Sequence, residues 1–263
     1  MDKFCFAVTS SDDRIDILDR CIKCIKNNKY YSDADVFLYF QGDKSLLKNK
    51  DLYKGVLYCD KLRGIFTPRY ELMKLCADYD FIILIDDDVF LYEDTNYQNC
   101  MNFLNFNQRA GCCNICTSKG RLANNIELRS VMGKDYNIMG GLVFPKRAIR
   151  VILDYFADKE KDYTEDMFWL LLYVKGFDWY QDKSQKAIHM SSLKGKDNEY
   201  TGYIKMKIER PYVPMLSEYF DDAGYYFEHR VGKTLAKIKM LNNINENGKR
   251  EREKNYGTTK DRD

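Results

Sequence analysis

Residues 80–93 read DFIILIDDDVFLYE. An uninterrupted apolar run, Phe81 to Ile85, stops on Asp86, Asp87 and Asp88. No polar residue alternates with the apolar ones, so both faces of the segment read as buried. That pattern predicts a central strand in a mostly parallel, helix-covered sheet. In an open α/β sheet, ligands bind beyond the carboxyl ends of the strands, and the three carboxylates stand at such an end. Adjacent carboxylates repel one another, and burial sharpens the repulsion. The triplet therefore needs either a cation or full solvation. Oxygen ligands suit Mg²⁺ or Mn²⁺, which bind one or two carboxylates together with substrate phosphates. The competing reading is a solvated turn after a strand.

The flanking segments fit the same architecture. Upstream, residues 3–9 (KFCFAVT) predict a first buried strand, SSDDR a polar loop, and residues 15–26 a helix. Leu18, Cys21, Ile22 and Ile25 share one face of that helix. Residues 35–40 (DVFLYF) predict a second strand ending at Gln41-Gly42-Asp43, and residues 56–60 (VLYCD) a third. A helix over 68–77 carries Pro68 at its start, where a missing N–H is harmless. Downstream, residues 110–117 read as a strand. Gly140-Gly141 turns into a strand at Leu142 to Phe144, and a helix covers 146–157. Thr164 caps a helix over 165–175, and Gly176 ends it. FDWYQD and KAIHMSS read as a short strand and a separate strand end. Beyond Lys194 the pattern weakens. Residues 230–245 predict a basic amphipathic helix, and the charged tail from Glu246 is predicted to be disordered. The expected organisation is an α/β domain over 1–200, a helical extension over 201–245 and a tail over 246–263, with no internal repeat.

Composition narrows the function classes. The chain has 263 residues, 45% hydrophobic and 31% charged, too apolar for wholesale disorder. A net charge of +2 gives no global basic field of the kind a nucleic-acid coat would show. The longest apolar run, Met167 to Val174, is far short of a membrane span. MDKFCFAVTSSDD turns polar too soon for a signal peptide. Nine cysteines cannot all pair internally, and they read as reduced thiols of a cytoplasmic protein. Cys21-x-x-Cys24 and the trio Cys112, Cys113 and Cys116 have no accompanying histidine. They read as small apolar core residues rather than zinc ligands.

Taken in order, these segments resemble a nucleotide-sugar-dependent glycosyltransferase of the GT-A fold. The likeness rests on FAVTSSDDR, on the strand ending Gln41-Gly42-Asp43, and on IDDDV, which is similar to the family's Asp-x-Asp motif. GGLVF, the acidic pair Glu165-Asp166 after Thr164, and His189 at a strand end complete it. It covers roughly residues 3–197. It implies a Rossmann-like, mostly parallel mixed sheet with helices on both faces, followed by the helical extension.

The resemblance implies roles residue by residue. Thr9, Ser10, Ser11 and Arg14 match the place that holds the nucleoside, although Ser11 or Asp12 as a helix cap is the plainer reading. Arg63 and Arg69 match basic residues that reach the nucleotide, against ordinary solvated arginines. Asp86 and Asp88 match the outer positions of Asp-x-Asp, with alternation carrying both side chains to the same side. Asp88 and Asp86 become metal ligands, with Asp86 and Asp87 also facing the donor. His189 matches a third ligand for Mn²⁺ or Mg²⁺, against a buried structural histidine. Lys194 matches a diphosphate-binding lysine, although HMSSLKG departs from the family's His-x-x-Gly spacing.

Asp166, with Glu165 beside it, matches the catalytic base of inverting members. Its plainer reading is a partner of the helix dipole. Gly140, Gly141, Trp169 and Trp179 match an acceptor-side wall, although Trp169 also reads as core. The implied reaction moves a sugar from a UDP-linked or similar donor to an acceptor hydroxyl. The acceptor classes are a bacterial surface glycan or its lipid-linked precursor, and a hydroxymethylated DNA base as in phage enzymes. The basic C-terminal region offers peripheral membrane or nucleic-acid contact. A non-catalytic nucleotide-sugar-binding module is the alternative outside enzymes.

Overall fold

The apolar run at 81–85 lies at the centre of the molecule with both faces covered. A computed structural model describes residues 2–61, 63, 65–117, 125–129, 141–158, 168, 171–173 and 175–189. It contains a nine-stranded sheet. In chain order the elements are β1 (Phe4–Ser11), α1 (Ile15–Asn27), β2 (Asp35–Gln41), β3 (Gly55–Cys59), α2 (Phe66–Leu75) and β4 (Phe81–Asp86). There follow β5 (Val89–Leu91), α3 (Gln98–Phe106), β6 (Ala110–Thr117), β7 (Ile126–Arg129), β8 (Leu142–Pro145), α4 (Lys146–Phe156) and β9 (Asp178–His189).

The sheet runs β3-β2-β1-β4-β8-β6-β9-β5, with β7 also paired to β9. β3, β2, β1 and β4 are mutually parallel. β8 is antiparallel to β4 and to β6, and β9 is parallel to β6. Two reversals restore the original direction. The carboxyl ends of β1, β2, β4 and β9 therefore lie along one edge of the sheet. This is the expected α/β architecture.

Strand alternation divides the core in two. Ile82 and Leu84 of β4 pack with Phe66, Leu72 and Met73 of α2 and Ile149, Ile152 and Phe156 of α4. Phe81, Ile83 and Ile85 pack on the other face with Leu18, Cys21, Ile22 and Ile25 of α1 and Cys100, Met101 and Leu104 of α3. The apolar stripe expected on α1 is thus its buried face. Full burial of one such aliphatic side chain stabilises by about 1.5–3 kcal/mol. Cys5, Cys21, Cys76, Cys100, Cys112 and Cys113 are buried thiols in these two clusters; the core reading holds for Cys21, Cys112, Cys113 and the buried Cys116, whereas Cys24 is half-buried.

Three expectations change. DFIILIDDDVFLYE is two strands rather than one: β4 stops at Asp86, and β5 starts at Val89 and pairs antiparallel with β9. FDWYQD and KAIHMSS contribute to a single strand, β9. Its polar middle is absorbed as a register shift against β6, where Ile115 faces Asp182 but Cys116 faces Lys186. A bulge of this kind accommodates residues that a regular ladder would not. Helix α3 was not anticipated. Its asparagines favour turns, yet Tyr97, Cys100, Met101 and Leu104 recur at helical spacing and are buried.

Gly176 has φ +89 and its N–H bonds the Tyr173 carbonyl, closing the helical residues 171–173 as expected. No helix among the described residues is long and apolar enough to cross a membrane. The extension over 201–245 and the tail over 246–263 lie outside the described residues.

Candidate metal and donor site

The end of β4 and the turn that follows it sort the three aspartates. Asp86 continues the face of Ile82 and Leu84, toward α2. Arg69 of α2 meets it there, with Nη2 2.5 Å from Asp86 Oδ1. Asp87 turns to the α1 face. Arg14, the residue before α1, donates from Nε to Asp87 Oδ2 at 3.0 Å and from Nη2 to Oδ1 at 2.6 Å. Ser10 Oγ donates to Asp87 Oδ2 at 2.6 Å. Burial raises the Asp87 carboxyl above the ordinary carboxylate range; Arg14 opposes this and Asp88 adds to it. Beneath them the Cys21 thiol faces the Asp86 carbonyl at 3.7 Å.

Asp88 is different. It is 1% exposed, and among the described residues neither carboxylate oxygen has a hydrogen-bond donor. Among the described residues the nearest basic groups are Arg14 Nη2, 3.5 Å from Oδ2, and the imidazole of His189, whose Nε2 is 3.6 Å from Oδ1. A buried carboxylate without donors is costly unless an ion fills the role. Asp86, Asp88 and His189 each offer a ligand atom, and these atoms lie within 4.8 Å of one another. Two carboxylates and one imidazole fit a divalent cation that keeps positions open for further oxygen ligands.

A pocket in front of this group is lined by Thr9, Ser10, Ser11, Arg14, Asp86, Asp87 and Asp88. Thr9 faces Asp86 across the β1–β4 ladder. Ser11 does not cap the following helical turn; its hydroxyl bonds Asp13 Oδ1. Arg63 is exposed, and its backbone N–H donates to the buried Gln41 Oε1 at 2.6 Å. Gly42 has φ +115, and a Cβ there would meet Asp12 Oδ2 at 2.1 Å. The ends of β1, β2 and β3 are thus tied into one rim.

The acceptor-side expectations fare differently. Gly141 has φ +90, and a Cβ there would lie 2.5 Å from the Tyr97 hydroxyl. Its lack of a side chain is required by the core beneath it. Trp179 is buried in the core and donates its indole N–H to Asn114 Oδ1 at 3.1 Å; it does not line the pocket. Gly140, Glu165, Asp166, Trp169 and Lys194 lie outside the described residues.

Sequence reasoning set Asp87 and Arg14 separately toward the donor and missed that Asp87 is paired with Arg14 and Ser10. The one available signal was that an arginine after the first strand can act as a fork for a carboxylate as well as for a phosphate.

No protein-family model matches this sequence, and neither does any protein of curated function. Solved structures match at the level of fold. The chain is similar to S. aureus TarS 1-349, with 11% identity and a TM-score of 0.54 over 96% of this chain and 83% of that one. The same TarS fragment in complex with UDP matches with 10% identity and a TM-score of 0.53, over 99% and 94% of the two chains. S. aureus TarS matches with 13% identity and a TM-score of 0.52, over 93% of this chain and 49% of that one.

Proposed function

We propose that this chain is a divalent-cation-dependent glycosyltransferase that moves a sugar from a nucleotide-diphosphate sugar, UDP-linked, to an acceptor hydroxyl. The observation that carries the reading is the convergence of Asp86, Asp88 and His189 at the carboxyl edge of the sheet, with both Asp88 oxygens lacking hydrogen-bond donors among the described residues. The shared fold supports it: the S. aureus TarS 1-349 fragment, to which the chain is similar in fold, has been solved in complex with UDP.

In this reading Asp86, Asp88 and His189 hold Mn²⁺ or Mg²⁺. The bound ion supplies charge that offsets the negative charge developing on a leaving diphosphate. Arg69 holds the Asp86 carboxylate in place through their ion pair. The hydroxyls of Thr9 and Ser11 line the pocket, where they offer hydrogen bonds to nucleoside or phosphate oxygens. Arg63 and Lys194 extend the cationic side of the donor site. On the resemblance of Thr164-Glu165-Asp166 to the family's acidic pair, Asp166 is the base. It takes the proton of the acceptor hydroxyl while that oxygen bonds the anomeric carbon and the bond to the diphosphate breaks. Attack opposite the leaving group inverts the centre. The acceptor class proposed is a bacterial surface glycan or its lipid-linked precursor.

Calorimetric titration of UDP, ADP, GDP and CDP, with Mn²⁺ and with EDTA, tests the reading. Metal-dependent binding of UDP that is lost in Asp88→Ala supports it. Absence of binding by every nucleotide under both conditions overturns it.

A further inference from the structure

Two arginines and three aspartates make an uneven set. Asp86 is paired with Arg69, and Asp87 is held at both oxygens by Arg14 and again by Ser10. Among the described residues, Asp88 alone of the three has no hydrogen-bond donor on either oxygen. The guanidinium of Arg14 also stands 3.5 Å from Asp88 Oδ2, so a single cation spans two neighbouring carboxylates. Arg14 is itself buried, at the end of the short turn Asp12–Arg14 that joins β1 to α1. The turn that carries Asp87 and Asp88 is therefore clamped from the β1–α1 side and does not rest on its own backbone alone.

We infer that Arg14 is a positioning residue for the cation site: it fixes Asp87 away from the ion and thereby leaves Asp88 as the carboxylate presented beside His189. This inference rests on the divalent-cation reading above. The physical reason is geometric. A planar fork holds both oxygens of a carboxylate at once, and a single ammonium cannot. Without the fork, Asp87 is a buried carboxylate beside another, and the turn rearranges to relieve the repulsion. Outer partners of this kind typically change metal affinity by about 10–100-fold.

The test is Mn²⁺ binding to the full chain in the absence of nucleotide, read by electron paramagnetic resonance, alongside thermal unfolding in EDTA. Arg14→Lys keeps the charge and removes the fork; it is expected to weaken Mn²⁺ binding by about 10-fold or more. Arg14→Gln with Asp87→Asn removes both charges and keeps a neutral hydrogen-bonded pair. This double variant is expected to fold and to recover Mn²⁺ affinity to within about 3-fold of the unsubstituted chain, as a double-mutant cycle for a coupled pair requires. Unchanged Mn²⁺ affinity in Arg14→Lys overturns the inference. So does a double variant that unfolds like the parent but binds Mn²⁺ no better than Arg14→Lys. No Mn²⁺ binding by the unsubstituted chain overturns the cation reading itself, and the inference with it.

Discussion

Nε2 of His189 stands 3.6 Å from Oδ1 of Asp88, because Val89, the residue after Asp88, pairs in register with His189 across the β5–β9 ladder. The carboxylate and the imidazole are thus delivered by one pair of strands. A shift of that ladder by a single residue would turn one of them to the opposite face.

Asp88 is buried without a hydrogen-bond donor among the described residues, so in the absence of metal it weakens the fold. Asp88→Ala is expected to raise stability in EDTA by about 1–2 kcal/mol. Added Mn²⁺ should raise the melting temperature of the unsubstituted chain and leave that of the variant unchanged. Thermal unfolding with and without Mn²⁺ measures both. A variant less stable than its parent in EDTA would contradict the reading of Asp88 as a buried carboxylate that its hydrogen bonding does not satisfy.

Gly141 sits at φ +90 against the fully buried Tyr97. Gly141→Ala is expected to cost about 2 kcal/mol or more, from the positive φ and the contact with the hydroxyl together. Tyr97→Phe in the same chain should return part of that loss, because the nearest contacting atom is gone. Urea unfolding of the two single variants and the double variant gives the coupling.

Trp179 is held by Asn114 within the core. Trp179→Phe leaves Asn114 Oδ1 without that donor and should cost about 1–3 kcal/mol of stability. A loss of acceptor affinity at unchanged stability would instead return Trp179 to the acceptor wall that the sequence suggested.

Cys59 ends β3 beside Tyr39 and Arg63. Its partial burial works to raise the thiol. The Lys61 backbone N–H, Arg63 and Tyr39 overcome this by hydrogen bonding the thiolate, and they leave its pKa lowered from the ordinary value of 9.0. Burial alone raises Cys24. With a depressed pKa the thiolate persists to lower pH, so alkylation of Cys59 should remain fast as pH falls below 9 while that of Cys24 fades. Mass spectrometry after iodoacetamide at stepped pH resolves the two sites. Equal rates at neutral pH would refute the assignment.

Much of the fold was legible because its signals are local. The double-sided apolar run before Asp86 carries a buried strand in its own composition. The stripe of Leu18, Cys21, Ile22 and Ile25 carries the inner face of α1. Helix α3 was missed because asparagines masked a stripe of the same kind, and β9 was split because a bulge interrupts its pattern. The Asp-x-Asp spacing was readable, and so was His189 at a strand end. That Arg69 is an ion-pair partner of Asp86 rather than a solvated arginine was not, since nothing along the chain links the two.

What the sequence determined by itself follows from periodicity: which segments are strands and helices, which of their faces are apolar, and that three carboxylates end the central strand. Only the tertiary structure decided how those carboxylates differ. Pleat alternation turns Asp86 toward Arg69 of α2, the turn after β4 carries Asp87 to Arg14 before α1, and the β5–β9 pairing brings Asp88 to His189. Each partner comes from a distant part of the chain. Such a pairing depends on register and on the helices packed against each face of the sheet, and no local pattern encodes either.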